Sequence, residues 1–289
     1  MLEWIQRGLS QGRITTRYPR EPEPAPAGYH GGIDVLDAED APPGLEAVCP
    51  TGAIGVDRHG DLELDRAKCI LCGECVRCDP RRFAFHGRYE TASRSRAALV
   101  LDGQDHPPSR QTREALGQQA RMLRRSIHVR HIDCGSDGSE EWEIQALWNP
   151  YYDIQRLGYF LTNAPRHADI LLVTGGVTGP MRAPLQRTWE VMPEPKALIA
   201  VGTDACSGGL AASGGLAGSG GLAGAGGLAG AGGLAGAGAV AGGNLLSAGG
   251  VDALLPVDVY VPGSPPAPIA IMHGLLLATG LLADTKAAA

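Results

Sequence analysis

In the second half of the chain, apolar residues gather into four short runs: Ile127 to Ile132, Ile170 to Val173, Ala197 to Val201 and Val257 to Val261. Runs of this length predict strands, and the three that are apolar almost throughout predict strands covered on both faces. The first run is half polar and predicts a less deeply buried strand. Glycines follow the carboxyl ends of three of them (Gly175-Gly176, Gly202, Gly263), and Pro180 to Val191 and Pro268 to Leu282 read as intervening and closing helices. Strand and helix in alternation predict a parallel, doubly wound α/β sheet, whose sites lie at the carboxyl ends of the strands.

The first half is patterned differently. Leu2 to Leu9 reads as a short helix, and residues 1–43 as a whole as an extended N-terminal segment. Pro19 to Pro43 is rich in Pro, Glu, Ala and Gly, which predicts poorly packed chain wrapping a neighbour. Ala53 to Val56 and Leu62 to Leu64 predict two short strands around the turn His59-Gly60-Asp61, within a small α+β unit over residues 44–101. A polar boundary from Asp102 to Arg110 and a basic helix from Thr112 to Arg125 form a linker over 102–126 before the second domain at 127–289. Within that domain the hexad Gly-Gly-Leu-Ala-Gly/Ala-Ser/Ala repeats from residue 208; it is too glycine-rich for a stable helix and reads as a flexible insertion over 208–243.

The 289 residues suit two modest domains, and 44% apolar content is ordinary for a globular chain. A net charge of −6 argues against a nucleic-acid partner. Met1 to Arg20 has no apolar core of the kind a signal peptide needs, and Ile269 to Ala283 is too short to span a bilayer, so a cytoplasmic protein is expected, with any membrane attachment made through partners.

The cysteines change this picture most. Five of the seven fall within thirty residues, as Cys49-Pro50 and Cys69-Ile-Leu-Cys72-Gly-Glu-Cys75-Val-Arg-Cys78. C-x2-C-x2-C sets three thiolates on one tight loop, and a fourth arrives from elsewhere, which is the signature of an iron–sulfur cluster. As in ferredoxins, the remote ligand is expected from a Cys-Pro pair, so Cys49, Cys69, Cys72 and Cys75 are assigned to one [4Fe–4S] cluster. A second such cluster in this unit would need a triad before Cys49, and residues 1–48 contain no cysteine. Cys78 departs from the usual spacing and is left without a cluster to serve. The competing readings are zinc, which prefers two separated C-x2-C pairs, and disulfides, which need an oxidising compartment.

From residue 128 onward the order of features resembles the small electron-transfer subunit family shared by respiratory complex I and energy-converting [NiFe] hydrogenases of the formate hydrogenlyase type. The stretches that carry the resemblance are His128-Val-Arg-His-Ile-Asp-Cys-Gly-Ser136, Asn149-Pro-Tyr-Tyr-Asp153, Ala164 to Gly175, Pro195 to Gly202 and Val257 to Pro266. The first half, from Gly12 through Cys78, resembles the ferredoxin-type subunit of the same complexes. The resemblance implies a ferredoxin-like unit fused to a flavodoxin-like domain, a large hydrogenase-like or complex I-like partner, membrane subunits, and a quinone or proton-reducing site at the interface. It also implies peripheral placement on the inner face of the cell membrane, and a role in an oxidoreductase complex rather than catalysis by this chain alone.

The chain departs from the family where a proximal cluster is held. By position the four thiolate places carry Asp137, Glu140, Asp204 and Ser264, so a second cluster is expected to be absent, with Cys134 and Cys206 the only thiols nearby. Three carboxylates brought together in a buried pocket would raise one another's pKa and suit a proton relay or a cation; the alternative is a solvated remnant neutralised by Arg130, Arg156 or Arg166. His128 and His131 read as strand or partner-facing residues rather than ligands, and Trp142, Trp148 and Trp189 as core or interface. Two functions follow: an electron-transfer subunit with one cluster, or a structural subunit coupling its complex without through electron transfer. A zinc-stabilised interaction module is the third reading.

Overall fold

The computed structural model describes residues 3–39, 41–101, 126–212 and 249–282. The expected linker helix and most of the glycine-rich repeat lie outside these residues.

The second domain is a five-stranded parallel sheet. Its strands are β6 (Ile127–Asp133), β7 (Tyr159–Leu161), β8 (Ile170–Thr174), β9 (Ala197–Val201) and β10 (Val259–Val261), in the spatial order β10-β9-β8-β6-β7. Counted from β6 this is the 2-1-3-4-5 order of flavodoxin-like folds, with the topological switch point between β6 and β8. β8 and β9 are buried at all five positions each. Side chains alternate across the sheet as the strand period requires. Val129, Leu172, Ile199 and Val261 pack on one face, and Leu171, Val173, Leu198 and Ala200 on the other.

Helices cover both faces. Leu185 of α4 (Arg182–Val191) enters the second core. On the first face lies α6 (Pro268–Ala278), buried along its whole length. It stops four residues before the expected Leu282 because Thr279 leaves helical geometry, returns its hydroxyl to the Leu275 carbonyl (3.0 Å), and is followed by Gly280 in the left-handed region. Between strands run α3 (Ser139–Ala146) after β6 and the short α5 (Gly202–Ser207) after β9.

The N-terminal unit starts with α1 (Glu3–Gln11). Strand β1 (Gly32–Val35) pairs antiparallel with β4 (Phe83–His86), and β2 (Ile54–Val56), β3 (Leu62–Asp65) and β5 (Val100–Leu101) form a three-stranded antiparallel sheet. The expectation of poorly packed chain from Pro19 to Pro43 is corrected at β1, where Ile33 is buried in the small core with Leu62, Leu64 and Phe83. The residues just before it are anchored to the chain's own second domain. Thr16 N–H donates to Tyr151 O over 2.8 Å, and buried Tyr18 joins the large core and donates its hydroxyl to Glu90.

The two units meet along one seam. Ser93 and Tyr260 exchange both backbone hydrogen bonds (2.9 and 2.8 Å), occupying the free edge of β10. Arg96 forms a two-pronged pair with Asp65 at 2.8 and 2.6 Å, tying the connecting segment to β3.

Candidate metal centre and the neighbouring carboxylates

Cys49 follows a one-turn helix over Leu45–Val48, Cys69 and Cys72 lie on the loop after β3, and Cys75 is in α2 (Glu74–Cys78). All four line one small cavity, whose walls include Ile33, Ala53, Ile54 and Leu64. Cys78, at the end of α2, is exposed and is not among the residues that line it. The loop reaches this shape through backbone that most residues avoid. Leu71 has φ 57°, and Gly73 has φ 75° with Phe85 so near that a Cβ there would approach its ring to 2.9 Å.

Backbone donors turn toward the sulfurs. Ala53 N–H donates to Cys49 Sγ over 3.2 Å, and backbone hydrogen bonds from Leu71 and Val76 favour the thiolates of Cys69 and Cys75. Even so, burial first and the neighbouring cysteines second push the Cys69 thiol up to about 12 and the Cys75 thiol up to about 11. Cys69 and Cys75 resist ionisation in this cavity unless positive charge is brought among them.

The carboxylates that stand in the proximal positions converge in part. Glu140, on the first turn of α3, is only 3% exposed. Burial first, then Asp204 and Asp137, raise its pKa to about 7. Asp204 on α5 is raised by burial and by Asp137. Asp137 is exposed and is lowered, because it accepts from the Ser139 hydroxyl (2.6 Å) and backbone N–H (2.9 Å). Ser139 Oγ also lies 3.1 Å from Glu140 Oε2, and its one proton serves a single carboxylate at a time.

Gly202, at φ 89°, lets α5 come against this group: a Cβ there would collide with Glu140 Oε1. Ser264 is exposed, but the Gly263 carbonyl before it accepts from Thr203 N–H (2.8 Å) and lies 3.1 Å from Thr203 Oγ1. The neutralisation by arginine that the remnant reading allows is not found among the described residues. Arg156 donates to Tyr18 O, and no described lysine or arginine forms an ion pair with Asp137, Glu140 or Asp204. Cys134 and Cys206 are buried core residues. Burial pushes the Cys134 thiol up to about 12 and the Cys206 thiol higher still, so both are protonated in metal-free protein. Among the described residues no group of three or more His, Cys, Asp or Glu side chains is drawn around one point closely enough to hold a single metal ion.

A further group at the switch point escaped the sequence reading. His131 Nε2 lies 3.0 Å from Thr174 Oγ1 and 3.4 Å from Glu141 Oε1, and Glu141 Oε2 accepts from Ser136 Oγ over 2.7 Å. Burial lowers the His131 pKa more than Glu141 raises it. Only the adjacency of β6 and β8, which pairs His131 with Leu172 and Asp133 with Thr174, brings this set together. His128 is partly exposed, with its ring near Phe160. Trp142 is 74% exposed, whereas Trp148 and Trp189 pack against the two cores. No described helix is long and apolar enough to cross a membrane.

The family of the NADH ubiquinone oxidoreductase 20 kDa subunit matches residues 137–278. Formate hydrogenlyase subunit 7 of Escherichia coli is 36% identical over 162 residues, 56% of this chain and 52% of that protein, so the chain spans about half the length of this relative. A probable membrane-bound hydrogenase subunit of Pyrococcus furiosus is 34% identical over 168 residues, 58% of this chain and 83% of that subunit. A chain in the structure of the membrane-bound sulfane sulfur reductase, an archaeal respiratory membrane complex, aligns at TM-score 0.38 and 23% identity over 56% of this chain and 73% of that one. The chain belongs to the family of the NADH ubiquinone oxidoreductase 20 kDa subunit.

Proposed function

We propose that this chain is an iron–sulfur electron-transfer subunit of a membrane-associated complex related to NADH–quinone oxidoreductase and energy-converting hydrogenase, holding one [4Fe–4S] cluster on Cys49, Cys69, Cys72 and Cys75. The observation that carries the reading is the convergence of a local triad and a remote cysteine on one cavity. Thiols that repel one another's ionised forms in a buried space are stabilised when iron supplies compensating charge. The C-x2-C-x2-C spacing with a remote Cys-Pro pair favours a multi-iron cluster over zinc, which prefers two separated C-x2-C pairs.

Bound there, such a cluster supplies one-electron transfer. The chain's own contribution is to hold it and tune it. The N–H groups of Ala53, Leu71 and Val76 are directed at the sulfurs, and Ile33, Ile54 and Leu64 keep water from the inner wall.

The relatives' names, formate hydrogenlyase and membrane-bound hydrogenase, support a large hydrogenase-like or complex I-like partner and membrane subunits; the quinone or proton-reducing site at the interface and the peripheral placement on the inner face of the membrane are proposed from the family resemblance alone. The unit boundaries at 44–101 and 127–289 belong to the same proposal.

A second reading has its own observation. Asp137, Glu140, Asp204 and Ser264 leave the proximal position without a thiolate, and Cys134 and Cys206 are locked in the core, which favours a structural coupling subunit whose electron path ends at the first cluster. Iron and acid-labile sulfide content of anaerobically purified protein, with low-temperature EPR after reduction, tests the assignment. About four iron and four sulfide per chain are expected. Zinc without sulfide overturns the cluster, and about twice that iron overturns the loss of the second one.

A further inference from the structure

Two consecutive residues of one short helix connect Glu140 to the backbone of Cys69, one of the four cage residues. Gly202 touches the Glu140 carboxyl, and the next residue, Thr203, donates its hydroxyl to the Cys69 carbonyl over 2.9 Å. Gly202 and Thr203 are both buried and uncharged, so no described ion pair shields one group from the other. Charges facing each other across such a region interact far more strongly than across water.

We propose that Glu140 is a redox-linked proton acceptor, taking up one proton from solvent when one electron arrives at the Cys49/Cys69/Cys72/Cys75 cage and releasing it when the electron leaves. This rests on the cluster assignment above. The electron comes from a low-potential one-electron donor, the proton from water by way of exposed Asp137 and the Ser139 hydroxyl, and the carboxylate becomes a carboxylic acid with no other bond changed. The acceptor replaces a lost thiolate with a group that answers the neighbouring cluster's charge.

The charged groups around Glu140 are accounted for. Asp204 on α5 and Asp137 before α3 both favour its protonated form. On α3 itself, Glu141 is tied to Ser136 and Thr174, and Glu143, about one turn on, has its pKa raised by burial. α6, which also packs on α3, carries one titratable side chain, His273, which burial keeps neutral at ordinary pH. Beside Cys69, Arg66 keeps its charge and is paired with Asp34. His86 beyond it is held neutral by burial and by Arg66 and Arg88.

The test is a potentiometric titration of the reconstituted full chain, read by EPR with dithionite as reductant, at pH values from 5.5 to 9. A negative charge added at the cage raises the proton affinity of Glu140, so the midpoint potential falls as pH rises through its titration. A tenfold gain in affinity on reduction corresponds to a total fall of about 59 mV for a one-electron couple. Glu140→Gln should hold the potential flat, at the value the unaltered protein shows at low pH. Asp204→Asn should move the sloping region to lower pH.

Infrared difference spectra of the unaltered protein, reduced minus oxidised, should gain a protonated-carboxyl band, which needs no variant to fold. A flat titration of loaded protein, a slope that survives Glu140→Gln, or the absence of that band overturns the proposal. Protein lacking iron and sulfide overturns the cluster assignment instead, and the two failures are told apart by metal analysis before the titration begins.

Discussion

Thr203 Oγ1 donates to the backbone carbonyl of Cys69 over 2.9 Å, joining residues 134 positions apart in sequence and fixing the cysteine loop against the first turn after β9. The same hydroxyl lies 3.1 Å from Gly263 O, which also receives Thr203 N–H, so the Cys69 carbonyl depends on Thr203 more than its neighbour does. Thr203 is almost wholly buried. Replacing it with Val keeps the shape and removes the donor, leaving a buried acceptor unpaired at a cost of about 1–3 kcal/mol. Urea unfolding should show that loss for Thr203→Val and almost none for Thr203→Ser, which restores a hydroxyl. Equal stability of the two variants would mean that the hydrogen bond does not hold the seam.

The cysteines divide by position. Changing Cys49, Cys69, Cys72 or Cys75 to Ser removes a soft donor from the shared cavity and should cut iron and sulfide content severalfold, because a hydroxyl is a poor substitute for thiolate. Cys78→Ser, at an exposed residue outside the cavity, should leave both unchanged. Loss of iron in the Cys78 variant would replace one of the four ligands assigned here.

Much of this architecture is legible in the amino-acid order, and the exceptions have physical reasons. The strands at 170–174 and 197–201 announce themselves because every position is buried, which demands an unbroken apolar run. β7 does not. Two of its three residues, Phe160 and Leu161, are exposed at a sheet edge, so no burial pattern marks them. β1 is hidden by the proline- and glutamate-rich composition around it, and the Ile33/Val35 alternation is its only local sign.

At the site, the cysteine spacing is local chemistry and reads directly. The meeting of Glu140 with Gly202, and of Thr203 with Cys69, is set by which strands lie side by side, and no short-range pattern encodes it.

His273 sits in α6 with both ring nitrogens buried and without a hydrogen-bond partner among the described residues. Burial lowers its pKa to about 4, against about 6.5 in an unfolded chain. Between those values the unfolded state binds the proton and the folded state does not. Stability from this residue is therefore complete above about pH 6.5 and is lost as pH falls toward 4, by about 3 kcal/mol over the whole window. His86, lowered to about 4 by burial and two arginines, acts in the same direction. His273→Leu should remove part of that acid sensitivity and add about 1–3 kcal/mol at neutral pH by relieving two unpaired polar atoms. Unfolding midpoints measured from pH 4 to 8 check both effects, and a variant as acid-sensitive as the parent would assign the slope elsewhere.

Glu140 acts in the opposite sense, and its contribution overlaps that of the histidines. Its folded pKa of about 7 lies above the value near 4.3 of an unfolded glutamate, so between the two the folded state holds the extra proton. Stability from Glu140 is then fully present below about pH 4.3 and is lost as pH rises through 7, by about 3 kcal/mol in total. The two slopes partly cancel between about pH 4.5 and 6.5, and above 6.5 the glutamate's alone remains. Glu140→Gln keeps the shape of the protonated acid and cannot ionise. It should match the unaltered protein at pH 4 and exceed it by about 2–3 kcal/mol at pH 8, in protein without metal, where the cysteine cage adds no redox term. Asp204→Asn, which removes the neighbouring carboxylate with the larger effect on Glu140, should recover part of the same gain by lowering the Glu140 pKa. Urea unfolding at pH 4 and pH 8 decides the matter. A Glu140→Gln variant no more stable than its parent at pH 8 would mean that the carboxylate is solvated there, and that the convergence of Asp137, Glu140 and Asp204 has no energetic consequence.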